Sequence, residues 1–284
     1  MLRRRRSLST DTRRSYWGCT LQLRRKHMNT WWCEGAIFDL DGVITGTART
    51  HFTAWKETFE DFLGNRLDAG DEASRPFTHD EDYVPYVDGK PRYDGVRSFL
   101  ESRGISLPEG SDDDGPDAET VRGVGNAKNI AFRRIVERDG VEIYDSTVKL
   151  VEELRDRGVQ VGVASSSKNA RFILETTGLL DLFGTVVDGV TSVELGLKGK
   201  PAPDIFLTAA ERLSVHPERS LMVEDAFSGV EAGVNGNFAL VIGVARGSNH
   251  EGLRERGAHV VVPDLAEYSI VEIESYFRKL SGTD

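Results

Sequence analysis

The chain has 284 residues, 39% of them hydrophobic, enough apolar material for one large core or two smaller ones. Its net charge of −10 is unevenly spread: the first 30 residues carry nine basic side chains against Asp11 alone, which leaves 27 basic and 45 acidic residues in the remainder. A body that acidic excludes nucleic acid and anionic membrane surfaces as partners, no apolar run is long enough to span a bilayer, and a phosphate-bearing ligand would need local positive charge to be held.

The Arg-rich, Ser-containing start (Arg3 to Arg6, Arg13, Arg14, Arg24, Arg25, Lys26) lacks the apolar stretch of a secretory signal. It reads as a transit peptide, as a disordered leader, or as an overcalled start with Met28 as the first residue. The fold is therefore read from residue 31 onward. Cys19 and Cys33 make no disulfide framework and read as reduced thiols of a cytoplasmic protein.

Residues 36–40 (Ala-Ile-Phe-Asp-Leu) are a short apolar run ending in Asp39, with a turn at Gly42. This predicts a buried strand with chemistry at its carboxyl end. Residues 45–142 show helical patterns at 51–62, 93–102 and 126–138 and no core strand, which predicts a helical insertion. Within it, 110–117 is a polar loop whose acids lack the ligand spacing of a Ca²⁺ loop.

The pattern then alternates. A helix at 146–157 stops at Gly158, and a strand at 159–164 leads into Ser165, Ser166 and Ser167. A helix at 168–177 is capped by Ser167 and ended by Gly178. A helix at 204–213 places Ile205, Phe206, Ala209, Ala210 and Leu213 on one face. Strands follow at 221–223, ending in Glu224 and Asp225, and at 238–244 and 259–262. The expectation is an α/β fold: a Rossmann-like parallel sheet core with helices on both faces (31–45 and 143–284), plus a small helical cap domain (46–142) inserted after the first core strand. Ligands of such sheets bind at the carboxyl ends of the strands, where Asp39, Ser165 and Asp225 all fall.

Asp39 follows three apolar residues and should be largely buried, which is costly for a carboxylate without a partner or a metal. Mg²⁺ takes oxygen ligands and keeps several waters. One oxygen of Asp39 can bind it while the other attacks phosphorus, with Asp41 placed for proton transfer. The serines after the second strand offer hydroxyls and backbone N–H groups to an anion. Lys200, in Gly-Lys-Pro-Ala-Pro-Asp, is held in a proline-stiffened loop, and Glu224 with Asp225 form a second acid pair at a strand end. Each feature alone also has a bland reading: turn acids, a helix cap, a surface lysine, another cap.

In this order the four motifs resemble the haloacid dehalogenase superfamily over about residues 35–265. The resemblance implies that Asp39 forms an aspartyl-phosphate, that Asp41 is the general acid/base, and that Ser165 and Lys200 hold the transferring phosphoryl group. It also implies Mg²⁺ on the Asp39 carboxylate, the Asp41 backbone carbonyl and Asp225, with Glu224 reaching the ion through water.

The inserted segment resembles the cap of the β-phosphoglucomutase branch. The matches are Thr47, His51, Trp55 and Lys56 in its first stretch, Arg92 in Gly-Lys-Pro-Arg-Tyr, and Lys128 with Asn129. Ala164 to Asn169, including Ser167 and Asn169, matches that branch too. A mutase must grip a bisphosphate at both ends, and Arg92 with Lys128 would be the second cationic centre; read singly, Arg92 and Lys128 are surface cations and His51 a satisfied cap histidine. Two features depart from the branch: Gly46 stands where relatives commonly carry an acid, and the stretches 67–87 and 104–121 are long.

The implied activity is interconversion of β-glucose 1-phosphate and glucose 6-phosphate, or else hydrolysis of a small sugar phosphate by the same core. A non-enzymatic binding protein on this scaffold is the third reading, and it would need one of the core motifs to be missing. The expected partner is a small sugar phosphate, with no nucleic acid and no membrane, and the expected state is a monomer.

Overall fold

A computed structural model describes residues 33–66, 71–88 and 90–282. The leader expected at 1–30 lies outside the described residues. Strand β1 (Gly35–Phe38) is followed by a helical excursion: α1 (Ala48–Arg66), α2 (Val84–Tyr86), α3 (Arg92–Ser102) and α4 (Val121–Asp139). The chain then alternates through α5 (Asp145–Asp156), β2 (Gln160–Ala164), α6 (Ala170–Thr176), β3 (Thr185–Val187), α7 (Gly189–Leu195), α8 (Asp204–Leu213) and β4 (Ser220–Glu224). It closes with α9 (Phe227–Asn235), β5 (Leu240–Val244), α10 (His250–Glu255), β6 (Val260–Val262) and α11 (Ile270–Ser281).

The six strands form one sheet in the order β3-β2-β1-β4-β5-β6, and all five pairings between them are parallel. This is the doubly wound order, with its switch point beside β1. The strands read as apolar runs because both faces are covered. Val151, Leu154, Ile173 and Phe277 pack on one face, and Phe206, Ala209, Ala210 and Val230 on the other. β1 pairs with β2 and β4, with Phe38 opposite both Val163 and Val223. The residues just beyond those three strands are Asp39, Ser165 and Asp225.

The inserted helices enclose their own aromatic cluster of Trp55, Phe59, Phe77, Phe99 and neighbours. α4 joins the two bodies: Val121 and Val124 pack into that cluster, whereas Phe132, Ile135 and Val136 pack into the core beneath the sheet. The long 67–87 stretch is partly helical where described, with a π turn at His79–Tyr83.

That turn buries Asp82 completely, between Arg75 and Arg103 at 2.9 Å each. Burial alone would raise its pKa, but the Thr78 N–H and the Arg103 and Arg75 guanidiniums outweigh it and hold the carboxyl below the usual range. A depressed folded-state pKa contributes stability that is present above the unfolded value of about 4 and is lost as pH falls through the folded value. Asp82→Asn should therefore cost about 3 kcal/mol at neutral pH. In thermal melts the gap to wild type should narrow under strong acid. A gap of the same size at neutral and strongly acidic pH would reject the ion-pair account.

Several elements differ from the sequence reading. β3 is only three residues long and lies unpredicted between Gly184 and Asp188. Helices α7, α9, α10 and α11 were also not predicted. Ser167 is not a helix cap: α6 starts at Ala170, and Ser167 Oγ instead accepts from Asn169 N at 3.2 Å, a local turn that delays the helix. Asp225 is likewise not a cap, because Ala226 occupies that position before α9. Among the described residues no helix is long and apolar enough to cross a membrane.

Candidate active site

The carboxyl ends of β1, β2 and β4 bring the sequence-distant polar residues together. Asp39 is 5% exposed, and its Oδ1 accepts from Lys200 Nζ at 2.6 Å. The same ammonium donates to Glu224 Oε1 at 2.5 Å. Glu224 Oε2 in turn accepts from the N–H groups of Asp225 and Ala226, both at 2.7 Å, so this buried acid orders the start of its own loop. Ser165 Oγ donates to Asp41 Oδ2 at 3.4 Å and accepts from Ser167 N at 3.1 Å. Lys200 is delivered by a loop with a cis bond to Pro201.

Gly42 closes the turn after Asp41 with φ of +84°, a conformation open to glycine. A Cβ there would also collide with the Asp225 carboxylate, so the missing side chain is what lets the two acid loops approach. At Gly46 a Cβ would sit 2.5 Å from Glu142 Oε2, so a side chain there would have to displace the Glu142 carboxylate.

Four acids, Asp39, Asp41, Glu224 and Asp225, gather around one buried ammonium, and burial raises the pKa of the three aspartates. Burial pushes Asp39 up to about 7; Lys200 opposes this, while Glu224 and Asp41 add to it. Asp225 is raised well above the ordinary carboxylate range, by burial and then by Glu224 and Asp39. Burial alone would lower the pKa of Lys200, but Asp39 and Glu224 hold it above the usual lysine range. Asp41 is raised by burial against the Thr47 hydroxyl, Lys200 and Lys128.

This acid-rich set fits a hard divalent cation. Among the described residues no three acid, imidazole or thiol side chains already form a chelate. The implied set needs only two side-chain carboxylates, Asp39 and Asp225, with the Asp41 carbonyl, and such a sparse donor set suits Mg²⁺, which retains waters.

The inserted helices supply the opposite wall. Thr47 Oγ1 donates to Asp41 Oδ1, and His51 Nε2 lies 3.9 Å from the same oxygen. His51 stacks on Phe132 with ring centroids 4.4 Å apart, and its Nδ1 is 2.8 Å from Lys128 Nζ. With lysine as the donor, the imidazole carries its proton on Nε2, facing Asp41. Burial, then Lys128 and Arg92, push the His51 pKa well below its ordinary value, so the ring is neutral. Lys128 is 4% exposed and lies over the rings of Trp55 and Phe132. Burial, then Arg92, lower its pKa to about 7 against the pull of Asp41.

Trp55 therefore belongs to the aromatic core rather than the site surface, and reaches the site through Lys128. Arg92 Nη2 and Asn169 Nδ2 both donate to Asn129 Oδ1, at 2.9 and 2.8 Å. Asn129 thus joins cap to core; the sequence signal for it was its place beside Lys128. A cavity of about 720 Å³ lies elsewhere, between α1, α4 and the loop at 116–119, and holds none of these residues. Of the acids on its walls, Glu57 and Glu119 are already paired with Arg134 and Arg66.

Comparison with known proteins gives the family of the chain. The family model described as haloacid dehalogenase-like hydrolase matches residues 33–237. A β-phosphoglucomutase of Mycobacterium tuberculosis is 49% identical over 237 residues, covering 82% of this chain and 90% of that protein. A β-phosphoglucomutase of Bacillus subtilis is 32% identical, covering 84% and 92%. The crystal structure of a β-phosphoglucomutase from Clostridium difficile superposes with a TM-score of 0.65 at 25% identity, covering 88% of this chain and 99% of that one.

Proposed function

The chain belongs to the haloacid dehalogenase-like hydrolase family, and from that premise we propose that it is a Mg²⁺-dependent β-phosphoglucomutase acting on a sugar phosphate as a cytoplasmic monomer. The reaction is interconversion of β-glucose 1-phosphate and glucose 6-phosphate through an aspartyl-phosphate on Asp39. The carrying observation is that core and cap both reach Asp41 and each brings a buried lysine: Ser165 meets its Oδ2 from the core, where Lys200 bonds Asp39, and Thr47 and His51 meet its Oδ1 from the cap, where Lys128 bonds His51. A phosphatase needs one phosphate site; a mutase that turns a bisphosphate around needs two.

In this reading the free carboxylate oxygen of Asp39 attacks phosphorus and the bond from phosphorus to the sugar oxygen breaks. Asp41 gives its proton to the departing oxygen. In the second half-reaction the free hydroxyl of an incoming sugar monophosphate attacks the aspartyl-phosphate, the bond from phosphorus to the Asp39 oxygen breaks, which re-forms the bisphosphate, and Asp41 takes up the hydroxyl proton. Its raised pKa suits a group that must hold a proton before handing it on, and Thr47 and Ser165 orient it. Lys200 and Ser165 hold the transferring group, while Arg92 and Lys128 hold the distal phosphate. Asp39, the Asp41 carbonyl and Asp225 would hold Mg²⁺, which would supply charge neutralisation at the transferring phosphoryl group. Closure of the cap over the core excludes water as the competing acceptor.

The direct test is incubation with Mg²⁺, β-glucose 1-phosphate and a trace of glucose 1,6-bisphosphate. Rapid formation of glucose 6-phosphate with little free phosphate is expected, and stoichiometric phosphate release would make the enzyme a phosphatase instead. Arg92→Ala should lower kcat/KM for the sugar phosphate about 100-fold, the loss of a charge-assisted phosphate contact. Hydrolysis of p-nitrophenyl phosphate, which has no distal phosphate, should change little. Equal losses in both assays would remove Arg92 from the distal site.

A further inference from the structure

Two side chains outside the acid motifs hold the backbone on either side of the proposed ion, and both come from the turn between β5 and α10. Arg246 Nε donates to Gly42 O at 2.6 Å, one residue beyond Asp41. Its guanidinium lies 3.5 Å from the centroid of the Tyr144 ring, and Nη1 is 3.5 Å from Asp264 Oδ2. Asn249 Nδ2 donates to Asp225 O at 3.1 Å. One four-residue turn is thus bonded to the peptide after Asp41 and to the peptide of Asp225, the two loops that meet across Gly42.

A second observation sets these side chains apart. Three buried side-chain polar atoms among the described residues lack a hydrogen-bond partner, and Arg246 Nη2 and Asn249 Oδ1 are two of them. Native folds leave few such atoms, and each calls for a reason other than packing. Here both unpaired atoms belong to the side chains that brace the acid loops.

We propose that Arg246 and Asn249 are positioning residues that fix the separation of the Asp39–Asp41 turn from Asp225 and thereby set the Mg²⁺ affinity of the site. The inference rests on the reading that Mg²⁺ binds between those loops. Neither residue touches substrate; each acts through a backbone carbonyl, so that carboxylate orientation is fixed before the ion arrives. Losing partners that orient metal ligands typically costs about 10- to 100-fold in metal affinity.

The test is calorimetric titration of Mg²⁺ into chelator-stripped wild type, Arg246→Met and Asn249→Ala. Each variant should bind Mg²⁺ at least about tenfold more weakly. Melting temperatures in chelator should stay near wild type, and kcat should recover when Mg²⁺ is raised. Unchanged Mg²⁺ affinity with a lowered melting temperature in chelator would make both residues structural and overturn the proposal. Should Arg246→Met fail to fold, Asn249→Ala carries the same test, since it removes one hydrogen bond and leaves the guanidinium stack in place. A wild-type chain that takes up no Mg²⁺ would overturn the metal reading and this inference together, a result distinct from equal affinities in wild type and variants.

Discussion

Asp39→Asn should abolish phosphoryl transfer, lowering kcat by at least about 10⁴-fold, while making the metal-free protein more stable at alkaline pH. The two effects have one origin. Asparagine keeps the shape of aspartate and its Oδ1 can still accept from Lys200, but the amide cannot attack phosphorus. It also removes one of four acids gathered around a single ammonium. Burial pushes the Asp39 pKa up to about 7, and a raised folded-state value means that the ionised form is penalised by folding. That penalty is absent below the unfolded value of about 4, and it is fully present once pH exceeds the folded value. Melts in chelator should therefore show the variant ahead of wild type at pH 8, by roughly 1–3 kcal/mol, and level with it near pH 4. Retained turnover would remove Asp39 as nucleophile. A variant less stable than wild type at pH 8 would mean that the carboxylate serves the fold rather than the chemistry.

Much of this was legible in sequence because the signals are local. β1, β2 and β4 are apolar runs with polar residues at their carboxyl ends, so Asp39, Ser165 and Asp225 could be placed together without knowing the sheet order. Elements whose packing depends on missing side chains were harder to read. α9 turns Gly229 and Gly233 toward Glu224 and Met222, so its buried stripe is partly written in absent atoms. α4 opens with Gly123 and Gly125 against Ala118 and Tyr93, and its first turn was missed for the same reason. β3 is too short to show a period. In the site, Trp55 was named on the resemblance of its stretch to a mutase cap, and the helix stripe that buries Phe59 and Leu63 buries Trp55 with them. Arg246 and Asn249 act on backbone carbonyls, which leave no mark in the sequence of their partners.

Lys200→Met carries the second large effect, and it opposes the first in stability. The lysine side chain is 11% exposed and bonds both Asp39 and Glu224. Removing it leaves two buried carboxylates without the one cation that bonds them directly among the described residues, a loss of about 3–5 kcal/mol in the metal-free protein. kcat should fall about 10²- to 10³-fold, as expected when one preorganised donor to the transferring group is lost. The destabilisation should be greatest at pH 8 and smaller at acid pH, because Asp39 takes up a proton near 7 and its charge no longer needs the lysine. Arginine should not rescue it, since a planar fork does not fit where a point charge bridges two acids. The decisive variant is Asp39→Asn with Lys200→Met. If these residues share one electrostatic centre, the double variant should be more stable than the sum of the single changes predicts, with a coupling above about 1 kcal/mol in thermal melts. Simple additivity would mean that the ammonium and the carboxylate do not act on each other, and an active site built around their pairing would not stand.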